Sequence, residues 1–272
     1  IVDIDSDFTG VDLCWVETPL NPTGEARNIQ HYADKIHAVG GHLVVDATFG
    51  PPPLQYPFKW GADMVMHSGS KYFGGHSDLL NGVLVVKTVD EWGALYAERY
   101  RFGNMMGSLE TWLLLRSLRT LHLRVPRQSA SATTLAQWLN TLANTPKGQT
   151  TDGIPGGIVI KVWHTSLQGE DASGWSPAKQ MQGDSPTFAI QLSSGEDAAY
   201  LPHALKYFVP ATSLGGVESL IEQRARSSPG EDPRIVRISV GVEDVEDLKA
   251  DLRRVFIDIS KVMPISDLID SG

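Results

Sequence analysis

Apolar residues in the first third of the chain come in short runs that end in small or polar clusters. VDLCWVE (11–17), LVVD (43–46), DMVMHS (63–68) and NGVLVVKT (81–88) read as strands. Between the first two, NIQHYADKIHAVGG (28–41) places Ile29, Tyr32, Ala33, Ile36 and Val39 at helical spacing, and Gly40-Gly41 ends the pattern. PPPLQYPFKWGAD (51–63) predicts an irregular connector with a short helical turn at most. NGVLVVKT is continuous in apolar residues, as strands buried on both faces are. The order strand–helix–strand–connector–strand predicts an α/β sheet that carries its chemistry on the loops after the strand ends.

From Ser108 the rhythm lengthens. SLETWLLLRSLRTLHLRV (108–125) has helical spacing, with Ser108 and Glu110–Thr111 as starters; Pro126 is expected to break or kink it before QSASATTLAQWLNTLAN resumes. NTPKGQTTDGIPGG (144–157) is turn-rich. Beyond it GIVIKVWH, TFAIQLSSG and RIVRISVG alternate as half-buried strands, with helices at EDAAYLPHALKYF and EDVEDLKADLRRVF. Val245, Leu248, Leu252 and Val255 share one face of the last helix. The expected division is a sheet domain over 1–125, a smaller α+β domain over 126–257 and a tail over 258–272.

Composition narrows the class. With 272 residues, 42% hydrophobic and 20% charged, the chain reads as globular, and a net charge of −9 argues against binding nucleic acid. No apolar run approaches the ~20 residues of a membrane span. A single cysteine, Cys14, excludes an internal disulfide and fits a reducing compartment, so a cytoplasmic location is expected, and no metal site is.

Two strand ends carry the candidate chemistry. LVVD ends in Asp46, followed by Thr48; DMVMHS runs into Ser68, Ser70 and Lys71 within a glycine-bearing loop. A lysine partly withdrawn from water can form a Schiff base with an aldehyde cofactor. Serine hydroxyls suit phosphate oxygens, and an aspartate one strand away suits a protonated pyridinium nitrogen. Together they point to pyridoxal 5'-phosphate. Each has a plainer reading: Lys71 as a surface lysine, Asp46 and Thr48 as turn residues.

ETPLNPTG (17–24), VVDATF (44–49), HSGSKYFGGHSD (67–78), SLGGVESL (213–220) and RISVG (237–241) together resemble the Cys/Met-metabolism family of pyridoxal-phosphate enzymes. Its members include cystathionine γ-synthase, the cystathionine β- and γ-lyases and homoserine-ester sulfhydrylases. GNMMGSLETWLLLRSLRTLHLR and ATSLGGVESLIEQR look most similar to a fungal branch. The resemblance implies an aminotransferase-like type I fold, with a large, mostly parallel sheet domain lacking its N-terminal side and a smaller C-terminal α+β domain. It implies Lys71 as covalent anchor and proton carrier, Asp46 at the ring nitrogen with Thr48 beside it, and Asn21 at the ring oxygen. Ser68 and Ser70 would then meet the phosphate, while Arg237 and Ser213 bind the substrate. In RIVRISVG, Arg237 and Ser239 fall on the face opposite Val236, Ile238 and Val240.

The implied reaction is carbon–sulfur cleavage of cystathionine or a related amino acid by α-proton removal and β- or γ-elimination. Alternatives are γ-replacement on an activated homoserine ester, an aminotransferase reaction, or a chain that keeps the fold without catalysis. The implied assembly is a homotetramer, a dimer of dimers acting on a small amino acid. Two departures stand out. Thr212 occupies a position where several members carry a glutamate tied to reaction preference. The members' front segment, with a ring-stacking tyrosine and a Tyr-x-Arg pair serving a neighbouring subunit, has no counterpart before Ile1.

Overall fold

A computed structural model of the chain describes residues 1–262. The first sheet is built from β1 (Leu13–Glu17), β2 (His42–Asp46), β3 (Met64–Ser68) and β4 (Gly82–Val86), in that order. The first two pairings are parallel and β4 closes the row antiparallel to β3. Helix α1 (Ile29–His37) crosses from β1 to β2, and its N-terminus is capped by Asn28, whose side chain accepts from the His31 amide. Ile29, Tyr32, Ala33 and Ile36 face inward and pack on Cys14, Val16, Leu43, Val45 and Val65. Val39 lies beyond the helix and is exposed, so the apolar stripe stops one turn earlier than its spacing predicts.

The connector after β2 holds only a short 3-10 turn at Pro57–Trp60, as expected. Strand β4 departs from expectation: Leu84 and Val85 are exposed, because β4 is an edge of this sheet rather than a strand covered on both faces. Helix α2 (Val89–Phe102), which the apolar spacing did not predict, follows it behind a complete capping box at Thr88 and Glu91. None of its residues is buried. Its weak amphipathicity explains both its absence from the sequence reading and its loose attachment.

Helices α3 (Ser108–Leu118) and α4 (Leu121–Ala143) are separated at Arg119–Thr120, and not at Pro126. Pro126 sits in the second turn of α4, and the helix continues through it. The buried Val125, Gln128, Ser129, Ala132, Leu135 and Leu139 anchor α4 on both sides of the proline, which outweighs the one backbone bond it forfeits. The residue before α3 is Gly107, so Ser108 opens the helix without acting as its cap.

A small hairpin, β5 (Thr150–Thr151) with β6 (Ile154–Pro155), precedes the second sheet. That sheet comprises β7 (Val159–Trp163), β8 (Thr187–Leu192), β9 (Val209–Pro210), β10 (Leu220–Gln223) and β11 (Ile235–Ser239). Its order is β7-β8-β11-β10-β9. The predicted strands β7, β8 and β11 are present, and the central two are almost wholly buried rather than half-buried. Strands β9 and β10 lie in stretches too short or too glycine-rich to read as strands. Helices α5 (Pro177–Gln180) and α6 (Gly195–Ala204) connect them, and α7 (Val245–Val262) closes the chain. One apolar core joins α4, α6 and α7 to one face of this sheet, with Leu135, Phe188, Ile238, Leu252 and Phe256 at its centre. Ile259 belongs to it, so the last helix runs on past Phe256. The tail expected over 258–272 lies outside the described residues from 263 onward.

A third cluster ties the two sheets together. Phe49 and Leu54 after β2, Tyr72 after β3, Val125 of α4, and Met181 and Leu214 pack as one group. This junction is where the candidate residues collect.

Candidate active site

The parallel pairings bring the carboxyl ends of β1, β2 and β3 side by side, with Glu17 opposite Asp46 and Asp46 opposite Met66. Open α/β sheets form ligand sites at such ends. Asp46 Oδ1 accepts from the Thr48 amide at 3.0 Å and from Thr48 Oγ1 at 2.6 Å. Thr48 Oγ1 in turn accepts from the Ser68 amide at 2.8 Å, so this buried hydroxyl fixes the carboxylate of β2 to the end of β3.

The chain then turns through a single π-helical turn, Gly69–Phe73, which carries Lys71. Lys71 Nζ donates to Ser213 Oγ at 3.2 Å. Burial lowers the pKa of this amine and the nearby Arg237 charge lowers it further, against an opposing pull from Glu222. Three contacts hold the turn. Arg124 of α4 donates to the Tyr72 carbonyl at 2.8 Å and to the Ser117 carbonyl at 3.0 Å. The Tyr72 hydroxyl pairs with Thr187 Oγ1 at 2.7 Å, and burial raises its pKa. Gly215 packs against the Lys71–Tyr72 backbone at φ +79°, where a Cβ would lie 2.7 Å from the Tyr72 nitrogen.

Arg237 reaches the same place from β11. It is 3% exposed, which removes the reading of a surface strand arginine. Nη1 donates to Asn21 Oδ1 at 3.0 Å, and Nη2 pairs with Glu222 Oε1 at 2.6 Å. The carbonyls of Thr212 and Ser213 also accept from Nη2. Burial brings its pKa down to about 10, although Glu222 opposes the change. Glu17 faces this group from β1 and accepts from the Asn21 amide at 3.3 Å. Burial first, and the Asp46 charge second, push its carboxyl up to about 7.

The structure thus brings Asn21, Arg237, Ser213 and Lys71 into one hydrogen-bonded chain, and Asp46, Thr48 and Ser68 into a second that enters the lysine turn. Ser70 stands apart in one respect: its hydroxyl donates to the Asn81 carbonyl at 3.3 Å and accepts from the Asn81 amide at 2.9 Å. Sequence reasoning does not single out Glu17, Glu222 or Arg224. Glu17 could have been found from its place at a strand end level with Asp46. The other two sit in a strand and a turn that the apolar pattern hides. A groove of about 1160 Å³ along β4 and α2, between Leu84, Trp92, Tyr96 and Phe102, does not enclose these groups.

The donor set fits pyridoxal phosphate: an amine made less basic, a carboxylate tied in place on the neighbouring strand, and an asparagine and a serine at the same junction. A mostly parallel α/β sheet with a lysine after a parallel strand, joined to a second, mixed sheet, is the type I fold of the pyridoxal-phosphate-dependent enzymes. Within that class, the family described as "Cys/Met metabolism PLP-dependent enzyme" matches residues 9–257, and the chain belongs to it. The chain is 36% identical over 263 residues to the cystathionine gamma-lyase of Saccharomyces cerevisiae, covering 89% of this chain and 62% of that protein. It is 35% identical over 253 residues to a cystathionine gamma-synthase of Mycobacterium bovis, covering 89% and 61%. Among solved structures, a methionine gamma lyase of Micromonospora echinospora superposes with a TM-score of 0.78 at 32% identity, covering 90% of this chain and 65% of that one. The chain therefore spans less than two thirds of the length of these relatives.

Proposed function

We propose that this protein is a pyridoxal-phosphate-dependent enzyme that cleaves the carbon–sulfur bond of cystathionine or a related amino acid. The observation that carries the reading is the chain Asn21–Arg237–Ser213–Lys71, which joins a carboxylate-binding guanidinium to a lysine of lowered pKa. Bound cofactor supplies an electron sink for the carbanion left when the α-proton departs. The Lys71 amine takes that proton and returns it, a role that needs an amine less basic than a free lysine. Asp46, held by Thr48, places a negative charge for the ring nitrogen, and Asn21 offers its amide to the ring oxygen. Ser68 and Ser70 are proposed for the phosphate; Ser70 can serve if its hydroxyl turns from Asn81. Arg237 and Ser213 receive the substrate's carboxylate.

Replacement at the γ-carbon is the second reading, because the lyase and the synthase match at nearly equal identity. The protein incubated with L-cystathionine is expected to release pyruvate or 2-oxobutyrate. Formation of cystathionine from O-acetylhomoserine and cysteine, with no keto acid from the first incubation, would establish the synthase reading instead. Lys71→Ala is expected to lose the visible absorbance of the bound cofactor. A wild-type protein with no such band would favour a fold without catalysis.

We also propose a homo-oligomer, a dimer of dimers, supported by Leu109, Trp112 and Leu115 standing exposed along α3. A cytoplasmic location is supported by the one free cysteine, Cys14. Among the described residues, no helix is long and apolar enough to cross a membrane.

A further inference from the structure

Behind Arg237 lies a second buried guanidinium. Arg224, in the turn after β10, is 8% exposed, and its Nη1 donates to Glu222 Oε1 at 2.6 Å. The same oxygen receives Arg237 Nη2 at 2.6 Å from the other side. Glu222 and Arg237 are register partners across β10 and β11, so the backbone ladder sets their separation. Ser227 Oγ donates to Glu222 Oε2 at 3.0 Å, and Arg224 Nη2 donates to Ser228 Oγ at 2.7 Å. The carboxylate is thereby gripped between two arginines and a hydroxyl, and none of its partners belongs to the lysine turn.

The charge balance gives this arrangement a consequence. A single carboxylate on a single buried guanidinium would be a closed pair, and an incoming carboxylate would have to compete with it. Two guanidiniums against Glu222 leave one positive charge over wherever the neighbouring Glu17, whose carboxyl is pushed up to about 7, holds its proton, in surroundings where water screens it little. An amino-acid carboxylate arriving at Arg237 completes the balance instead of disturbing it.

We propose that Glu222 and Arg224 are positioning residues for Arg237: Glu222 fixes the plane of its guanidinium, and Arg224 draws off enough of the Glu222 charge for Arg237 to bind a substrate carboxylate. The proposal rests on Arg237 being the carboxylate-binding group described above.

The test measures binding and turnover separately in the cofactor-loaded protein. Binding is read by calorimetry with L-norleucine, an amino acid with no leaving group, and turnover with L-cystathionine. Arg224→Gln leaves Glu222 to Arg237 alone, so Kd and KM are expected to rise about tenfold while kcat stays within about twofold. Glu222→Gln combined with Arg224→Gln restores one uncompensated charge on Arg237, and Kd is expected to return to within about threefold of the parent. Arg224→Lys keeps the charge and should recover most of the affinity. A purely structural cluster gives another pattern: kcat and melting temperature fall together and the double variant is worse than either single, which would overturn the proposal. Should Arg224→Gln fail to fold, the double variant and Arg224→Lys carry the comparison. Arg237→Ala separates the two levels. If it leaves norleucine binding intact, the carboxylate assignment fails; if it abolishes binding while Arg224→Gln does not weaken it, only the positioning proposal fails.

Discussion

Glu17 is the residue whose protonation the site disturbs most near neutrality. Its carboxyl, ordinarily at 4.5, is pushed up to about 7 by burial and by Asp46, with Arg27 and Arg224 opposing. For a group whose folded pKa is raised, the stability it contributes is complete below the unfolded value and is lost as pH rises through the folded one. Between about pH 4.5 and 7, therefore, the parent protein should lose stability relative to Glu17→Gln. Melting temperatures of the two measured across that range should diverge; parallel curves would contradict the assignment. Thr48 is a second residue-scale case. Thr48→Val removes the hydroxyl that both donates to Asp46 and accepts from the Ser68 amide, and leaves a half-buried amide without its partner. A loss of about 1–3 kcal/mol in denaturant unfolding is expected, with weaker retention of cofactor.

At the scale of elements, the strands β1, β2 and β3, helix α1 and the closing helix α7 were legible because each has a one-sided or fully apolar pattern. The lysine turn stood out as a candidate, since Ser68, Ser70, Lys71 and the glycines around them are a dense motif. What escaped was whatever packing decides without periodicity. Helix α2 has no buried face to announce it, and α4 continues through Pro126 because its later turns are anchored. Strand β10, which carries Glu222, is too short to show a pattern of its own. Two predictions belong here. Asn28→Ala removes the cap of α1 and should cost about 1 kcal/mol, read as a lower denaturation midpoint with unchanged slope. Gly215→Ala places a methyl group against the Lys71–Tyr72 backbone at a φ that suits glycine. It should displace the lysine turn and lower cofactor retention more than overall stability; unchanged retention would refute the close approach.

For the molecule as a whole, the sequence separated into an α/β part and an α+β part, yet the site lies where they meet. Asn21 and Arg237 are far apart in the chain, and only the fold shows that they touch. Arg237 could be singled out from its motif, whereas Glu222 and Arg224 meet it only through the pairing of β10 with β11, which leaves no local pattern. The exposed Trp92, Tyr96 and Phe102 of α2 and Leu84 of β4 line one apolar surface on a chain of net charge −9. Produced by itself, this chain should bind a hydrophobic dye and scatter light increasingly with concentration.

Helix α4 has a consequence for how the molecule comes apart. Its first turns hold the lysine turn through Arg124, and its later turns, with Leu135 and Leu139, belong to the core under the second sheet. One rod therefore serves two bodies, and neither can melt while leaving it in place. Heat or urea should produce a single transition, in which tryptophan fluorescence and absorbance of cofactor at Lys71 change at the same midpoint. Two separated midpoints would mean that the rod bends at Pro126 before either body yields.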